Sequence, residues 1–246
     1  VFAAAPAAAP IIGGWLHEWF GWRSVFWFLL GFALLLALSI WRLLPETVPM
    51  DARQSFAPRF VARSYLRAFA HPRYMQLIVV FALLFGGMFL YVAAAPAILI
   101  DHLGQRETDF WKFFVPLVTG LILGSRMTRW LAGRLSMTAT MALGLSISGL
   151  AVLYNLLQVS LQPVDQVHGV WLTVTPITLY VMGMATTMPA LNITALDYWP
   201  AQRGLASALQ GATQMAFAGI VSGVLVAQLA DSLLALAIGM ATLYLA

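Results

Sequence analysis

Eight apolar runs follow one another along this chain, at approximately 1–20, 24–44, 74–98, 110–126, 136–158, 170–192, 204–229 and 231–246. A hydrocarbon core about 30 Å thick takes about 20 helical residues to cross. Inside it every backbone N–H and C=O must find a partner, which leaves helices or closed barrels. The short alternating strands of a barrel do not occur here, so the fold class read from the runs is all-α, a polytopic membrane protein of about eight transmembrane helices. Composition agrees, with 61% hydrophobic and only 9% charged residues, against roughly a quarter charged in a soluble domain. The fourth run is short, and its flanking Lys112 and Arg126 would snorkel toward the interfaces. With no cysteine in the chain, disulfides, thiol nucleophiles and cysteine metal sites are excluded.

The charges give the orientation. Arg42, Arg53, Arg59, Arg63, Arg67, Arg73, Arg126, Arg129, Arg134 and Arg203 fall between alternate runs, and the opposite loops hold only Arg23, Arg106 and Lys112, which makes ten of 13 basic residues on one side. The positive-inside rule makes the arginine-rich side cytoplasmic. This placement also turns the net charge of +4 away from nucleic acid and toward the lipid bilayer as the partner.

Polar residues gather in one long interval, 45–73, which separates two runs (1–44) from six (74–246). Within "SFAPRFVARSYLRAFAHPRY", Arg59, Arg63 and Arg67 recur every four residues and share one helix face. Phe56, Phe60, Tyr65, Leu66 and Phe69 lie mostly on the other side. The pattern predicts an amphipathic helix on the cytoplasmic leaflet, its arginines near anionic headgroups. Val1 and Ala246 both sit inside apolar runs, so the chain reads as an internal fragment of a longer transporter-like protein.

The first run carries "APAAAPIIGGW". Prolines and glycines are tolerated in membrane helices because neighbouring helices shield the loosened backbone. Ala5, Ala9, Gly13 and Gly14 give a small-residue face for close approach, and Pro6 and Pro10 soften the helix. This stretch resembles the antiporter motif G-x-x-x-G-P-x-x-G-G on the fifth helix of major facilitator drug exporters: Pro10, Gly13 and Gly14 match, while alanines replace the two earlier glycines. "GWRSVFWFLLG", "LPET", "FGGMFLYVAAAPAIL", "HLGQRETDFWKFFVPLVTGLILGS" and "DYWPAQRGLASALQGATQ" resemble, in order, segments of the bicyclomycin- and chloramphenicol-resistance (Bcr/CflA) subfamily.

The resemblance implies the fifth to twelfth helices of a twelve-helix carrier in the major facilitator fold. It further implies drug/proton antiport across a bacterial-type cytoplasmic (inner) membrane, by a monomer, with the proton gradient as energy source and no cofactor. One motif departs from the pattern. "GSRMTRWLAGR" carries Arg126, Arg129 and Arg134 but lacks the aspartate of the superfamily's usual loop motif, which puts its conformational latch in doubt.

Mechanism depends on polar groups at membrane depth. Glu18, Asp101, Asp109, Asp165, Asp197 and Asp231 sit at run ends or in loops, as do His17, His71, His102 and His168. A buried acid would mark a proton path, and the resemblance places it in the amino-terminal half of such carriers. The set of side chains that would line a substrate cavity is Phe85, Met88 and Tyr91 on the third run, Thr175, Thr178, Met182 and Thr186 on the sixth, and Ser207, Gln210 and Gln214 on the seventh. Aromatic and methionine surfaces adapt to varied apolar ligands; the competing reading of each residue is helix packing. "GLILG" (120–124) and "GIVSG" (219–223) read as packing faces, and Asn192 heads a sequon at a cytoplasmic end. No nucleotide loop, zinc motif or nucleophile elbow occurs, and an intramembrane enzyme would need a catalytic pair at depth. The reading is therefore a carrier of small amphipathic compounds, not an enzyme, with a metabolite carrier for a nucleoside or sugar as the alternative.

Overall fold

The computed structural model describes residues 5–45, 58–161 and 169–246, and side chains from Ile12 onward except those of Glu107 and Ala201. Arg53, Phe56, Asp165 and His168 lie outside the described residues, as do Glu46 and Thr47 of "LPET" and the side chains of Ala5, Pro6, Ala9 and Pro10. By contacts the chain divides into two units, residues 1–63 and 64–246.

The first unit is a helical hairpin. Helix α1 (Ala5–Phe20) ends at Gly21, whose φ of 76° reverses the chain where a side chain would be strained. Helix α2 (Trp22–Leu43) follows, and the Ser24 hydroxyl pins the corner by donating to Leu16 O at 2.8 Å. Helix α3 (Pro58–Phe69) crosses the division between the units.

The second unit is an α-helical bundle. Helix α4 (Pro72–Pro96) starts where the His71 side chain accepts from Tyr74 N and Pro72 supplies the preset first turn, and it runs on as a π-helical segment, Ala97–His102. After a 3-10 turn (Glu107–Asp109) come α5 (Trp111–Leu131), α6 (Met137–Leu161) and α7 (Val170–Asp197). A second 3-10 turn (Pro200–Gln202) leads to α8 (Arg203–Ile220). A π-helical segment (Val221–Leu225) joins α8 to α9 (Val226–Leu229), and α10 (Leu233–Leu245) starts at Ser232, whose side chain accepts from Ala235 N.

All eight apolar runs are thus helical, and among the described residues there is no strand beyond one isolated bridge, Ala132 to Leu135. Five helices are long and apolar enough to cross a bilayer: α2, α4 with its extension, α6, α7, and α8 through α9. The other three differ for plain reasons. The described parts of α1 and α10 are 16 and 13 residues long, and α5 carries Lys112, Arg126 and Arg129. The sequence reading stops the fourth run at Arg126; the helix continues to Leu131, because arginines at a helix end keep helical backbone while their heads reach outward.

Helix α7 is the centre of the bundle, and backbone proximity holds its neighbours. A Cβ on Gly120 or Gly124 of α5 would meet the carbonyl of Thr178 or Met182. On the other side Gly144 of α6 and Gly183 of α7 face one another, a Cβ on Gly183 falling 2.5 Å from Gly144 O. Van der Waals packing of small residues is what joins helices where lipid is as apolar as the side chains. Hydroxyls add directional ties: Ser148 donates to Tyr180 O (3.0 Å), Tyr180 to Leu84 O (2.8 Å) and Tyr244 to Leu145 O (2.7 Å). "GLILG" is therefore a packing face. At "GIVSG", Gly219 and Gly223 have nothing described within 4 Å of a Cβ, and Phe217 and Val221 make the contact to α4 at Gly86.

Candidate functional site

A groove of ≈ 380 Å³ opens between α5 and α7 near the starts of both helices. Trp111, Val115, Pro116 and Thr119 line it from α5, and Trp171, Val174, Thr175, Thr178 and Leu179 from α7. Trp111 and Trp171 meet edge to face at 6.3 Å between ring centroids, an arrangement favoured by the ring quadrupoles. Under the positive-inside expectation this end of both helices would lie outside the cytoplasm.

Besides the two indole N–H groups, the polar side chains of the walls are three threonines. Each hydroxyl donates back along its own helix: Thr119 to Val115 O (2.8 Å), Thr175 to Trp171 O (2.6 Å) and Thr178 to Val174 O (3.0 Å). With the proton committed, each oxygen keeps lone pairs as an acceptor. Pro116 has no N–H, so the Lys112 carbonyl one turn before it has no helical donor. The groove therefore offers aromatic faces, threonine and backbone acceptors and the indole N–H donors of Trp111 and Trp171, with no charged side chain in its wall.

The cation next to it is occupied. Lys112 Nζ lies 3.0 Å from Asp109 Oδ1 and donates to Gln105 Oε1 at 2.7 Å. The Lys112 hydrogen bond, with a second from Arg106 N, holds the Asp109 carboxyl below its ordinary range. This outer-loop cluster fixes the start of α5 without entering the groove.

Of the side chains singled out from sequence, Thr175 and Thr178 line the groove. The rest are not brought to it. Met88 (8% exposed) and Tyr91 (2%) turn into the bundle, where Tyr91 accepts from Asn155 Nδ2 at 2.5 Å. Thr186 is fully buried and donates to Met182 O at 2.8 Å, and Met182 lies half-buried over the glycines of α5. Phe85 stacks on Phe89 at 5.2 Å. On α8, Gln210 is buried with its side-chain oxygen unpartnered, Gln214 is half-buried and Ser207 is exposed. The reason is directional: these residues share helix faces, but α4 and α7 turn those faces toward α6, α10 and α5.

Gly13 and Gly14 have nothing described within 4 Å of a Cβ. Arg126 and Arg129 are exposed near the far end of α5, and Arg134 places its guanidinium 4.2 Å from the Trp130 ring centroid. Among the described residues no group of His, Cys, Asp and Glu side chains is placed to hold a metal ion.

Sequence reasoning missed Trp111 and Trp171, although tryptophans at the ends of apolar runs are a known interfacial signal. It also missed Asn155 and Gln158 of α6. Gln158 Nε2 donates to Asn155 Oδ1 at 3.3 Å, extending a buried polar chain from Tyr91.

Comparison with known proteins gives the family. Residues 1–223 match the Major Facilitator Superfamily. The chain is 25% identical over 93% of its length to a bicyclomycin resistance protein homolog of Haemophilus influenzae, covering 56% of that protein. It is 24% identical over 89% of its length to multidrug resistance protein D of Escherichia coli, covering 53%. With the chloramphenicol resistance protein CraA of Acinetobacter baumannii it shares 26% identity over 58% of its length and 34% of the relative's. The chain spans about half the length of the first two relatives. No solved structure matches it.

Proposed function

The chain belongs to the Major Facilitator Superfamily and resembles its bicyclomycin- and chloramphenicol-resistance branch, and from that premise we propose that it forms part of a carrier exporting amphipathic drugs in exchange for protons across the bacterial cytoplasmic membrane. Multi-pass membrane insertion and transport, as opposed to catalysis, follow from the family. Drug export is supported by the relatives' names, all of them resistance proteins or multidrug transporters.

The observation that carries the substrate reading is the α5–α7 groove. An uncharged wall of two indoles and three threonine acceptors suits a small aromatic amphipath that stacks on the rings and exchanges only a few hydrogen bonds with the wall. A sugar or nucleoside, covered in groups that both donate and accept, would leave donors and acceptors unpaired against these walls, at roughly 1–3 kcal/mol for each buried group. Among the described residues the acids sit near helix ends or in turns, so the proton-carrying group is not assigned to the described spans.

Proton-driven efflux from vesicles bearing the carrier, assayed over chemically unrelated aromatic compounds and over sugars and nucleosides, tests the proposal. Gradient-dependent export of several unrelated aromatic compounds is expected. Transport confined to one metabolite class overturns it. Trp171→Ala is expected to raise KM for aromatic substrates about tenfold, the equivalent of one lost aromatic contact of about 1.4 kcal/mol.

A further inference from the structure

Helix α3 has three sides. Ser64 and Ala68 are buried, and Tyr65 packs beside them on the cluster containing Tyr74, Ile78 and Leu209. Arg59, Arg63 and Arg67 are all exposed, and each step of four residues turns only about 40° around the axis, so they form one row. Next to that row, Leu66 and Phe69 are 70% and 53% exposed. The helix contains no acid, and among the described residues none of its arginines has an ion-pair partner.

An apolar flank beside a cationic row matches the boundary between headgroups and acyl chains. The helix also sits in the right place. It ends at Phe69, just before α4 begins at Pro72, on the side that the charge asymmetry makes cytoplasmic. We infer that α3 binds the anionic phospholipids of the cytoplasmic leaflet, with Leu66 and Phe69 entering the acyl boundary and the three arginines pairing with headgroup phosphates. Guanidinium groups suit this because they offer paired donors to phosphate oxygens. A neutral leaflet leaves the row without counter-charge, and a soluble acidic ligand leaves Leu66 and Phe69 in water. The inference is independent of which compound the carrier moves.

Amide exchange over residues 59–69, measured on the intact carrier in lipid nanodiscs, reads this docking. Exchange is expected to slow about tenfold or more when phosphatidylglycerol is mixed into phosphatidylcholine, since each arginine near an anionic surface contributes several-fold. The triple variant Arg59→Gln, Arg63→Gln, Arg67→Gln should exchange in charged nanodiscs as the parent does in neutral ones, and the corresponding lysine variant should keep most of the slowing. If the glutamine variant disturbs the bundle, Leu66→Ser with Phe69→Ser leaves the arginines and the buried side intact, and it should lose the slowing as well. Equal exchange in charged and neutral nanodiscs overturns the inference, as does full slowing in the serine variant. Slowing in neutral nanodiscs on adding soluble polyglutamate also overturns it, and would make the row a site for an acidic protein.

Discussion

Helices α2 and α7 are both long enough to cross a bilayer, but they have different surroundings: α2 belongs to a first unit with α1 beside it, and α7 to a second unit, between α5 and α6. α2 is filled with large apolar side chains such as Trp27, Phe28, Leu35 and Trp41, none of them buried by the described residues of a chain that spans about half the length of its relatives. α7 is the less apolar of the two, with six threonines, two prolines and a glycine at its closest backbone contact, yet 61% of its apolar stretch is buried. In water the more apolar helix would be the core. In lipid, bulk apolarity gives no drive for helices to associate, and small residues that let backbones touch decide what packs.

If that lesson holds, the largest effect comes from filling a backbone contact of α7. Gly183→Leu or Gly144→Leu should lower bundle stability by about 3 kcal/mol, read as loss of the monodisperse folded peak in detergent. Leu35→Ala in α2 should stay within about 0.5 kcal/mol of the parent. Equal losses from the two would break the comparison.

Gly13→Leu and Gly14→Leu sharpen it. Neither glycine has a described neighbour to clash with, so the hairpin should insert at normal levels. Transport by the carrier should nonetheless fall to background, because the motif they belong to presents a small face for close approach. Normal efflux by both variants would leave the resemblance at Pro10, Gly13 and Gly14 without consequence.

A smaller effect is expected inside the bundle. Asn155→Leu removes the tie to Tyr91 and strands Gln158, at a cost of about 1 kcal/mol, measurable as a lower unfolding midpoint. Tyr91→Phe should show the same loss, and the double variant little more than either alone.

The smallest effect is in the outer loop and depends on pH. Because the Asp109 carboxyl titrates below its ordinary value when folded, its contribution is fully present above the unfolded carboxylate pKa and is lost as pH falls through the folded one. Asp109→Asn should therefore lower the melting temperature slightly at neutral pH, and the gap should close in acid. A gap that persists below both values would assign the effect to something other than the Lys112 pair.

The parts of this architecture that sequence made legible are those written along one dimension. Run length located the described apolar helices, and the four-residue arginine spacing located α3. Packing direction is not one-dimensional. Met88 and Tyr91 share a face of α4, and Thr186 shares one of α7 with Met182, but only the positions of the neighbouring helices α6 and α5 determine that these faces are packed ones. The groove joins Trp111 to Trp171, residues far apart in the chain, so neither local pattern contained it. Thr178 repeats with Thr175 at helical spacing, and that local pattern does reach the groove wall. A glycine pair such as Gly219 and Gly223 marks close approach only if a neighbour stands on that side, and none does among the described residues.

The segment Val221–Leu225 joining α8 to α9 accounts for one more property of the bundle. Phe217, Val221, Leu225 and Leu229 follow one another at intervals of four, and all four belong to the core. In a continuous α-helix each such step drifts by about 40°, which would carry the last of them well off the face of the first. The wider π turn absorbs an extra residue and cancels that drift, as a leap day keeps a calendar in phase with the sun. Deleting Gly223 would remove the correction, and α9 would then present a different meridian to Gly239, whose close approach to Leu229 would be the first to go out of step.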